Sequence, residues 1–532
     1  MNVWMVSMEF AGIAEAGGVK NVARSLCEEL SRYGSDVTLF MPLFGCTDLD
    51  EITDIKQNAY PTLTVHICGM PETVSFTTAT LVRTGIHVVF VTNPRFSEKL
   101  GVYTYTEEEE RADPLHKRGS GHTDALLIET LFQRAVASFG PFVPPEREPD
   151  VILCEDAATA VLPSYISCGS SPAFAHARCV VTIHNAGPSY HHAFATIGEA
   201  GAYTGLPGSI LCGAMNGDRV EPFLLAAGCA TLTTVSTQYA EELTDPAHSA
   251  ETDGLADIFA RRSIRITGIT NGIDYERYDP RRSMTSLLPF AYDPEKGDLD
   301  GKIRCRNFFL THFAAEKESE IHAQSVRYLS GITRSGFLRP CGNGEQAVYF
   351  SYHGRIVSQK GIQVLAEAAK RITENSERAR FIIIGQGEPG LERDMEQTAS
   401  SSDGKIVFFK GYNRAMARLA VAAGDFIILP SYFEPCGLED FIAQVFGTIP
   451  VAHATGGLKK ILDGSTGFLY SPNTPDELAK TLSGLMERKD AEPELFRNIA
   501  VQAAGYVHET YSWQQVVINE YIPFFHSLTK SY

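Results

Sequence analysis

Three groups of residues have the types and spacing to hold a hydroxylated, anionic ligand. Glu434 lies in Pro430-Ser431-Tyr432-Phe433-Glu434-Pro435-Cys436-Gly437-Leu438-Glu439-Asp440, directly after the apolar run Phe426-Ile427-Ile428-Leu429. Beyond it, Phe441, Val445 and Phe446 recur at roughly helical spacing, which puts Glu434 on a turn between a buried strand and a helix. A carboxylate there can accept hydrogen bonds from sugar hydroxyls. Pro435 fixes φ, Gly437 lets the backbone approach a ligand, and the amides opening the helix are donors for hydroxyl or phosphate oxygens. The alternative is a solvated glutamate in an ordinary loop.

Arg355 and Lys360, in Gly354-Arg355-Ile356-Val357-Ser358-Gln359-Lys360-Gly361, flank a turn that leads into a helix over 362–372. A fork of guanidinium donors and a mobile ammonium beside a helix N-terminus suit a diphosphate; otherwise they are two solvated charges. The third group is glycine-rich. Gly17-Gly18 follows the first strand and Thr455-Gly456-Gly457 follows a late one, each reading as a junction where a helix begins. Such junctions admit phosphate or sugar against bare amides, or are simply tight turns. Asp156, His184 and Ser236 stand at the ends of further apolar runs, and His184 reads either as a core histidine or as a site residue.

The elements that must position these groups alternate. Residues 3–8, 36–42, 87–92, 150–154, 179–184 and 230–236 read as strands, and helices over 19–30 and 124–139 fall among them. That order predicts a mostly parallel sheet covered on both faces, with ligands beyond the carboxyl ends of its strands. Gly268-Ile269-Thr270-Asn271-Gly272 is dense in turn formers and marks a domain boundary. Residues 281–302 read as an irregular excursion and 304–313 as a helix. Strands restart at 348–352, 381–384, 426–429 and 448–452. The expected division is 1–266, 267–510, and a C-terminal helix in 511–532 that packs back across the junction. Glu107-Glu108-Glu109-Glu110 reads as a solvated face or mobile loop, and 186–218 as a loop-rich insertion.

At 532 residues the chain is too long for one ordinary core. Its 44% hydrophobic and 21% charged content are those of a globular protein rather than a disordered or fibrous one. A formal charge of −18 argues against nonspecific binding to nucleic acid or anionic lipid. The eleven cysteines are scattered with no C-x-x-C pair, and His191-His192 has no third ligand at metal spacing, so no zinc site is expected. No apolar run reaches the roughly 18 residues of a membrane span and no basic leader opens the chain, so the expected location is the cytoplasm.

Along nearly its whole length the sequence resembles the bacterial glycogen synthases and plant starch synthases, retaining glycosyltransferases of the two-domain GT-B architecture. PSYFEPCGL (430–438), GTIPVAHATGGL (447–458) and GRIVSQKG (354–361) carry the likeness, with TIHN (182–185), TVS-x-x-YA (234–240) and GITNGID (268–274). The resemblance implies two Rossmann-like α/β domains facing a deep cleft. It implies transfer of glucose from ADP-glucose to the non-reducing 4-OH of an α-1,4-glucan such as glycogen, without a metal or other cofactor. Arg355 and Lys360 match the pair that neutralises the leaving diphosphate, and Glu434 the acid at the donor glucose. Cys436 and Gly437 match the turn that cradles its hydroxyls, and His184 and Asp156 match residues lining the sugar site. Gly17, Gly18, Thr455, Gly456 and Gly457 match further donor-binding positions.

The chain also departs from the pattern. The family's Lys-x-Gly-Gly has Glu15 at the lysine position, and His-Asp-Trp becomes Glu155-Asp156-Ala157. A carboxylate about 4 Å from a phosphate costs up to roughly 4 kcal/mol at intermediate dielectric. Glu15 must therefore point away, be offset by a neighbour, or mark a changed donor or lost activity. Two other readings follow: a weakened homologue that binds glucan, and a GT-B transferase with another nucleotide sugar or acceptor. The sequence sets no oligomeric state.

Overall fold

The computed structural model describes residues 1–316, 327–341 and 346–529. The chain divides into two compact units. Unit 1 holds residues 1–271 with the chain from Val516 onward, and unit 2 holds Gly272–Gln515. The C-terminal segment runs as helix Trp513–Val516, a π turn Val517–Tyr521 and helix Ile522–Thr529, so the division falls inside it. Arg178 Nε donates to Leu528 O at 3.3 Å, which fixes its end within unit 1. Residues 530–532 of the expected C-terminal helix lie outside the described residues.

Unit 1 is built on β1 (Asn2–Val6), β2 (Asp36–Pro42), β3 (Ile52–Lys56), β4 (Leu63–Ile67), β5 (Met70–Leu81), β6 (His87–Thr92), β7 (Val151–Glu155), β8 (Arg178–Ile183), β9 (Met215–Asn216), β10 (Arg219–Val220), β11 (Thr231–Thr234) and β12 (Ile266–Gly268). The main sheet runs β12-β11-β8-β7-β1-β2-β6-β5-β3, with β4 paired to β5. From β12 through β6 the pairs are parallel. A parallel strand covered on both faces must be apolar at successive positions. Val3–Val6 is apolar throughout and Val180–Ile183 is apolar but for Thr182, and all eight residues are buried. Helix Val19–Arg32 turns Val22, Ala23, Leu26 and Leu30 inward at three- and four-residue spacing.

Unit 2 adds β13 (Ile332–Gly336), β14 (Val348–His353), β15 (Ala379–Gly385), β16 (Ile406–Gly411), β17 (Phe426–Leu429), β18 (Ile449–His453) and β19 (Phe468–Tyr470), in the order β13-β16-β15-β14-β17-β18-β19. Only β13 is antiparallel to its neighbour. Alternate residues feed two cores. Phe381, Ile383, Phe426 and Ile428 pack on one face, and Ile382, Ile384, Ile427 and Leu429 on the other.

Both sheets reverse their winding at one strand. In unit 1, β1 is flanked by β2 on one side and β7 on the other, and in unit 2, β14 is flanked by β15 and β17. At such a switch point the loops from neighbouring carboxyl ends diverge and leave room for a ligand. The loops after β1, β7 and β8 carry Gly17, Asp156 and His184. The loops after β14, β17 and β18 carry Lys360, Glu434 and Gly457.

Several expectations change. Glu107–Ala112 is a helix, not a mobile loop. Thr106 and Glu109 cap it reciprocally, and Glu109 is buried while Glu107 and Glu108 stay exposed. Within 281–302 the chain forms short helices at Ser283–Ser286 and Pro294–Lys296, and the next helix is Asp300–Phe309, earlier than expected. Its early start places Lys302 inside, where its ammonium donates to Ala422 O and Gly424 O at 2.8 Å. The insertion at 186–218 contains helices Ile197–Thr204 and Gly208–Cys212. Gly456–Lys460 is a 3-10 turn rather than the start of an α-helix.

Gly361 has φ of 66°, and a Cβ there would lie 1.9 Å from Pro430 O, so the β14 and β17 loops meet through a glycine. Gly361→Ala is expected to destabilise unit 2 by about 2 kcal/mol or more, from left-handed backbone strain plus overlap, as read by urea unfolding.

Candidate active site

The clearest cluster in unit 2 joins two strand-end loops by charge. Lys360 Nζ lies 2.5 Å from Glu434 Oε2, and Ser431 Oγ–H donates to the same oxygen at 3.0 Å. Their side chains are 22% and 15% exposed, so the pair is partly shielded yet reachable. Burial alone would raise the Glu434 pKa. The charge and hydrogen bond of Lys360, the Ser431 hydroxyl and the charge of Lys460 outweigh it and hold the carboxyl below its ordinary range. An ammonium has three donors, and Glu434 uses one of those on Lys360. Arg355 is on the same loop, exposed, with its carbonyl held by Tyr352 Oη–H at 2.8 Å.

Further bonds fix the loops. Gln359 Nε2 donates to Phe433 O at 3.2 Å, the Tyr432 amide to Gln359 O at 2.9 Å, and Asn473 Nδ2 to Pro430 O at 2.7 Å. His353 Nδ1 meets Glu439 Oε2 at 2.7 Å, tying the end of β14 to helix Glu439–Val445. Thr455 Oγ1–H donates to Tyr432 O at 3.2 Å, and the Gly457 amide to Glu434 O at 2.8 Å. The expectation of bare amides therefore fails at Gly457. Its lack of a side chain is needed for packing, because a Cβ would sit 2.2 Å from Cys436 O.

The unit 1 cluster is acidic. Glu9 is buried, and its Oε2 accepts the amides of Ala16 at 2.9 Å and Gly17 at 2.6 Å. Gly17 thus turns its amide toward a carboxylate of the protein, a second correction to the bare-amide expectation. A Cβ on Gly18 would meet nothing within 4 Å, so the space around it is open. Glu15 is offset by a neighbour: Oε1 accepts the Gly12 amide at 2.7 Å and Oε2 lies 3.3 Å from Lys20 Nζ. Lys20, in the first turn of the helix that follows, is therefore the countercharge of Glu15.

Across β7 and β8, His184 Nε2 lies 2.5 Å from Glu155 Oε2, and the His184 amide donates to Asp156 Oδ1 at 3.3 Å. Asp156 has φ of 64°, a conformation non-glycine residues adopt at a cost, so its orientation is imposed by its surroundings. Burial raises its pKa against the charges of His184 and His192. For His184, burial lowers the pKa, but Glu155, Asp156 and Glu9 outweigh it and raise it. His191 and His192 diverge. His191 bonds Glu221 Oε2 at 2.9 Å and Ala186 O at 2.8 Å, and His192 bonds Glu129 Oε1 at 2.7 Å. Among the described residues, no group of three or more His, Cys, Asp or Glu is arranged to hold a metal ion.

Residue patterns do not single out Glu9, Glu129, Ser431, Asp440 or Lys460, and they raise His192 only as a metal ligand that lacks partners. Glu9 is eight positions before Gly17 on the loop that the glycines close, a spacing that points back to it. Glu129 and His192 are far apart in sequence, and no local signal pairs them.

Two doubly wound α/β units with such loops at their switch points are the GT-B architecture of glycosyltransferases. A family model described as the starch synthase catalytic domain matches residues 2–258, and one described as glycosyl transferases group 1 matches 347–488. The glycogen synthase of Thioalkalivibrio sulfidiphilus is 28% identical over 504 residues, 91% of each chain. That of Aeromonas hydrophila is 25% identical over 542 residues, 97% of this chain and 96% of its own. The catalytic domain of starch synthase IV from Arabidopsis thaliana, solved bound to ADP and acarbose, superposes with a TM-score of 0.77 at 23% identity, covering 99% of each chain. Sucrose-phosphate synthase from Thermosynechococcus elongatus gives 0.54 at 14%, again over 99% of each. The chain is a glycosyltransferase similar along nearly its whole length to glycogen synthases and a starch synthase.

The His192 pKa is pushed up to about 9; burial lowers it, but the charge and hydrogen bond of Glu129 prevail. A raised histidine contributes stability that is full below its unfolded pKa, about 6.5, and is lost as pH rises through the folded value. Urea unfolding of wild type and Glu129→Gln should therefore differ most at or below about pH 6.5. That difference should shrink by roughly half or more by about pH 9. A gap independent of pH would contradict the pairing.

Proposed function

We propose that the protein is a glucan synthase, transferring glucose from ADP-glucose to the non-reducing 4-OH of an α-1,4-glucan with retention of configuration. The observation that carries this reading is the contact of Lys360 with Glu434, on adjacent strand ends, beside Arg355. Glycogen synthase relatives spanning nine-tenths of the chain support the substrate class.

In this reading the anomeric bond breaks toward an oxocarbenium-like state while negative charge gathers on the leaving phosphate. Arg355 and Lys360 stabilise that charge more in the transition state than in the ground state, because they are in place before it develops. Glu434 accepts hydrogen bonds from the donor glucose and anchors Lys360 where the diphosphate departs. The departing phosphate oxygen takes the proton of the attacking hydroxyl on the same face. Asp156 and His184 line the sugar, and Glu155 orients His184. Neutralisation of the diphosphate is assigned to side chains rather than to a metal. Among the described residues no helix is long and apolar enough to cross a membrane, and all eleven cysteines are unpaired, which supports a reducing cytoplasm.

A second reading, a weakened glucan-binding homologue, is favoured by one observation: Lys20 is engaged with Glu15, so the Gly17-Gly18 loop offers little net positive charge. Incubation with labelled ADP-glucose or UDP-glucose and glycogen separates the readings. Incorporation from ADP-glucose supports the synthase, glycogen binding without incorporation the weakened homologue, and turnover only with another donor or acceptor a different transferase. Arg355→Ala and Lys360→Ala should each lower kcat/KM about a hundredfold, corresponding to roughly 2.7 kcal/mol of lost transition-state stabilisation. Wild-type turnover in both variants would remove these residues from the site.

A further inference from the structure

Beneath the Glu434 turn lies a second lysine. Lys460 has a side chain only 2% exposed, and its Nζ donates to Cys436 O at 2.6 Å, Gly437 O at 2.9 Å and Gly457 O at 3.1 Å. It also lies 3.0 Å from Oδ1 of Asp440, which is fully buried, and 4.4 Å from the centre of the Phe441 ring. One ammonium thus gathers carbonyls from the loop after β17 and the loop after β18, with its charge balanced by a carboxylate of helix Glu439–Val445.

The arrangement fixes the direction of the peptide units above it. In a trans peptide the carbonyl and the amide point in opposite directions. Anchoring Cys436 O and Gly437 O on Nζ therefore turns the amides of Gly437 and Leu438 away from the lysine. Among the described residues neither of these amides meets a protein acceptor. Gly437 can take the required turn because its φ is 76°, and a Cβ there would lie 2.9 Å from Leu458 Cδ2. Gly457 can sit against Cys436 O only without a side chain. The two loops therefore fit around the ammonium in one way.

We infer that Lys460, balanced by Asp440, is a positioning residue for the donor sugar: it fixes the Cys436-Gly437 peptides so that their outward amides meet the hydroxyls of the transferred glucose. This inference rests on the proposed glucan synthase reading and adds a residue that touches neither donor nor acceptor. Lys460 acts only through the turn, so its loss should weaken recognition of the sugar and leave recognition of the nucleotide nearly untouched.

The test is calorimetric binding of ADP and ADP-glucose, with UDP and UDP-glucose in parallel, to wild type, Lys460→Met/Asp440→Asn and Asp440→Asn. The double variant removes both buried charges and so leaves neither unpaired. It should lose about tenfold or more in the ratio of sugar-nucleotide to nucleotide affinity, while nucleotide affinity changes less than about threefold. Asp440→Asn keeps Lys460 on its three carbonyls and should hold the ratio within about threefold of wild type. If the double variant does not fold, Lys460→Gln/Asp440→Asn, whose amide offers at most two donors to the three carbonyls, should show the same tenfold loss, and an unchanged ratio there would overturn the inference. An unchanged ratio in the double variant, an equal loss for nucleotide and sugar nucleotide, or a tenfold loss in Asp440→Asn would overturn the inference. Wild type that binds no sugar nucleotide would instead sink the proposed function itself, and the inference with it.

Discussion

A carboxylate removed from water must be met by a cation or by several donors, and unit 2 is arranged around that requirement. Glu434 and Asp440 lie six residues apart on the segment after β17, and both are shielded from solvent. Lys360, from the loop after β14, meets the first, and Lys460, from the loop after β18, meets the second. An unpaired buried charge costs several kcal/mol, so each contact dictates where a neighbouring loop must lie. The sheet order β14-β17-β18 brings the three loops within reach, and the two ion pairs set their final geometry. Gly361, Gly437 and Gly457 then stand where loops approach too closely for a side chain.

The same requirement is met differently in unit 1. Buried Glu9 accepts two amides, buried Glu155 meets His184 through Oε2 while its Oε1 has no partner, and the exposed Glu15 meets Lys20. The resulting array is rich in acceptors, which suits sugar hydroxyls better than phosphate. The substitution that stood out in the sequence, Glu15 at the family's lysine position, is accommodated without a buried unpaired charge because its side chain is exposed and Lys20, in the first turn of the following helix, lies 3.3 Å from it.

Much of this was legible in the residues. The strands at 36–42 and 87–92 and the helices near 19–30 and 362–372 follow from apolar periodicity, since both faces of a parallel sheet impose it. The excursion β3–β5 left no such trace. Four of the five β3 residues are exposed, and the buried stretch Phe76–Ala79 of β5 contains two threonines, so neither shows the apolar run of a central strand. The acidic run at 107–110 misleads because charge density suggests solvent, whereas capping by Thr106 draws Glu109 inward. Glycine pairs reveal that a backbone comes close to something, but not what. At Gly17 it is Glu9, and at Gly457 it is Cys436 O. Long-range pairs such as Lys360 with Glu434 become visible only once sheet order is known.

The account turns on where a diphosphate is received, and a crystal structure of the protein with ADP measures that directly. The account predicts pyrophosphate oxygens within hydrogen-bond distance of the Arg355 guanidinium and Lys360 Nζ, with Glu434 beside them. ADP held elsewhere, with both cations facing only solvent or Glu434, would contradict it.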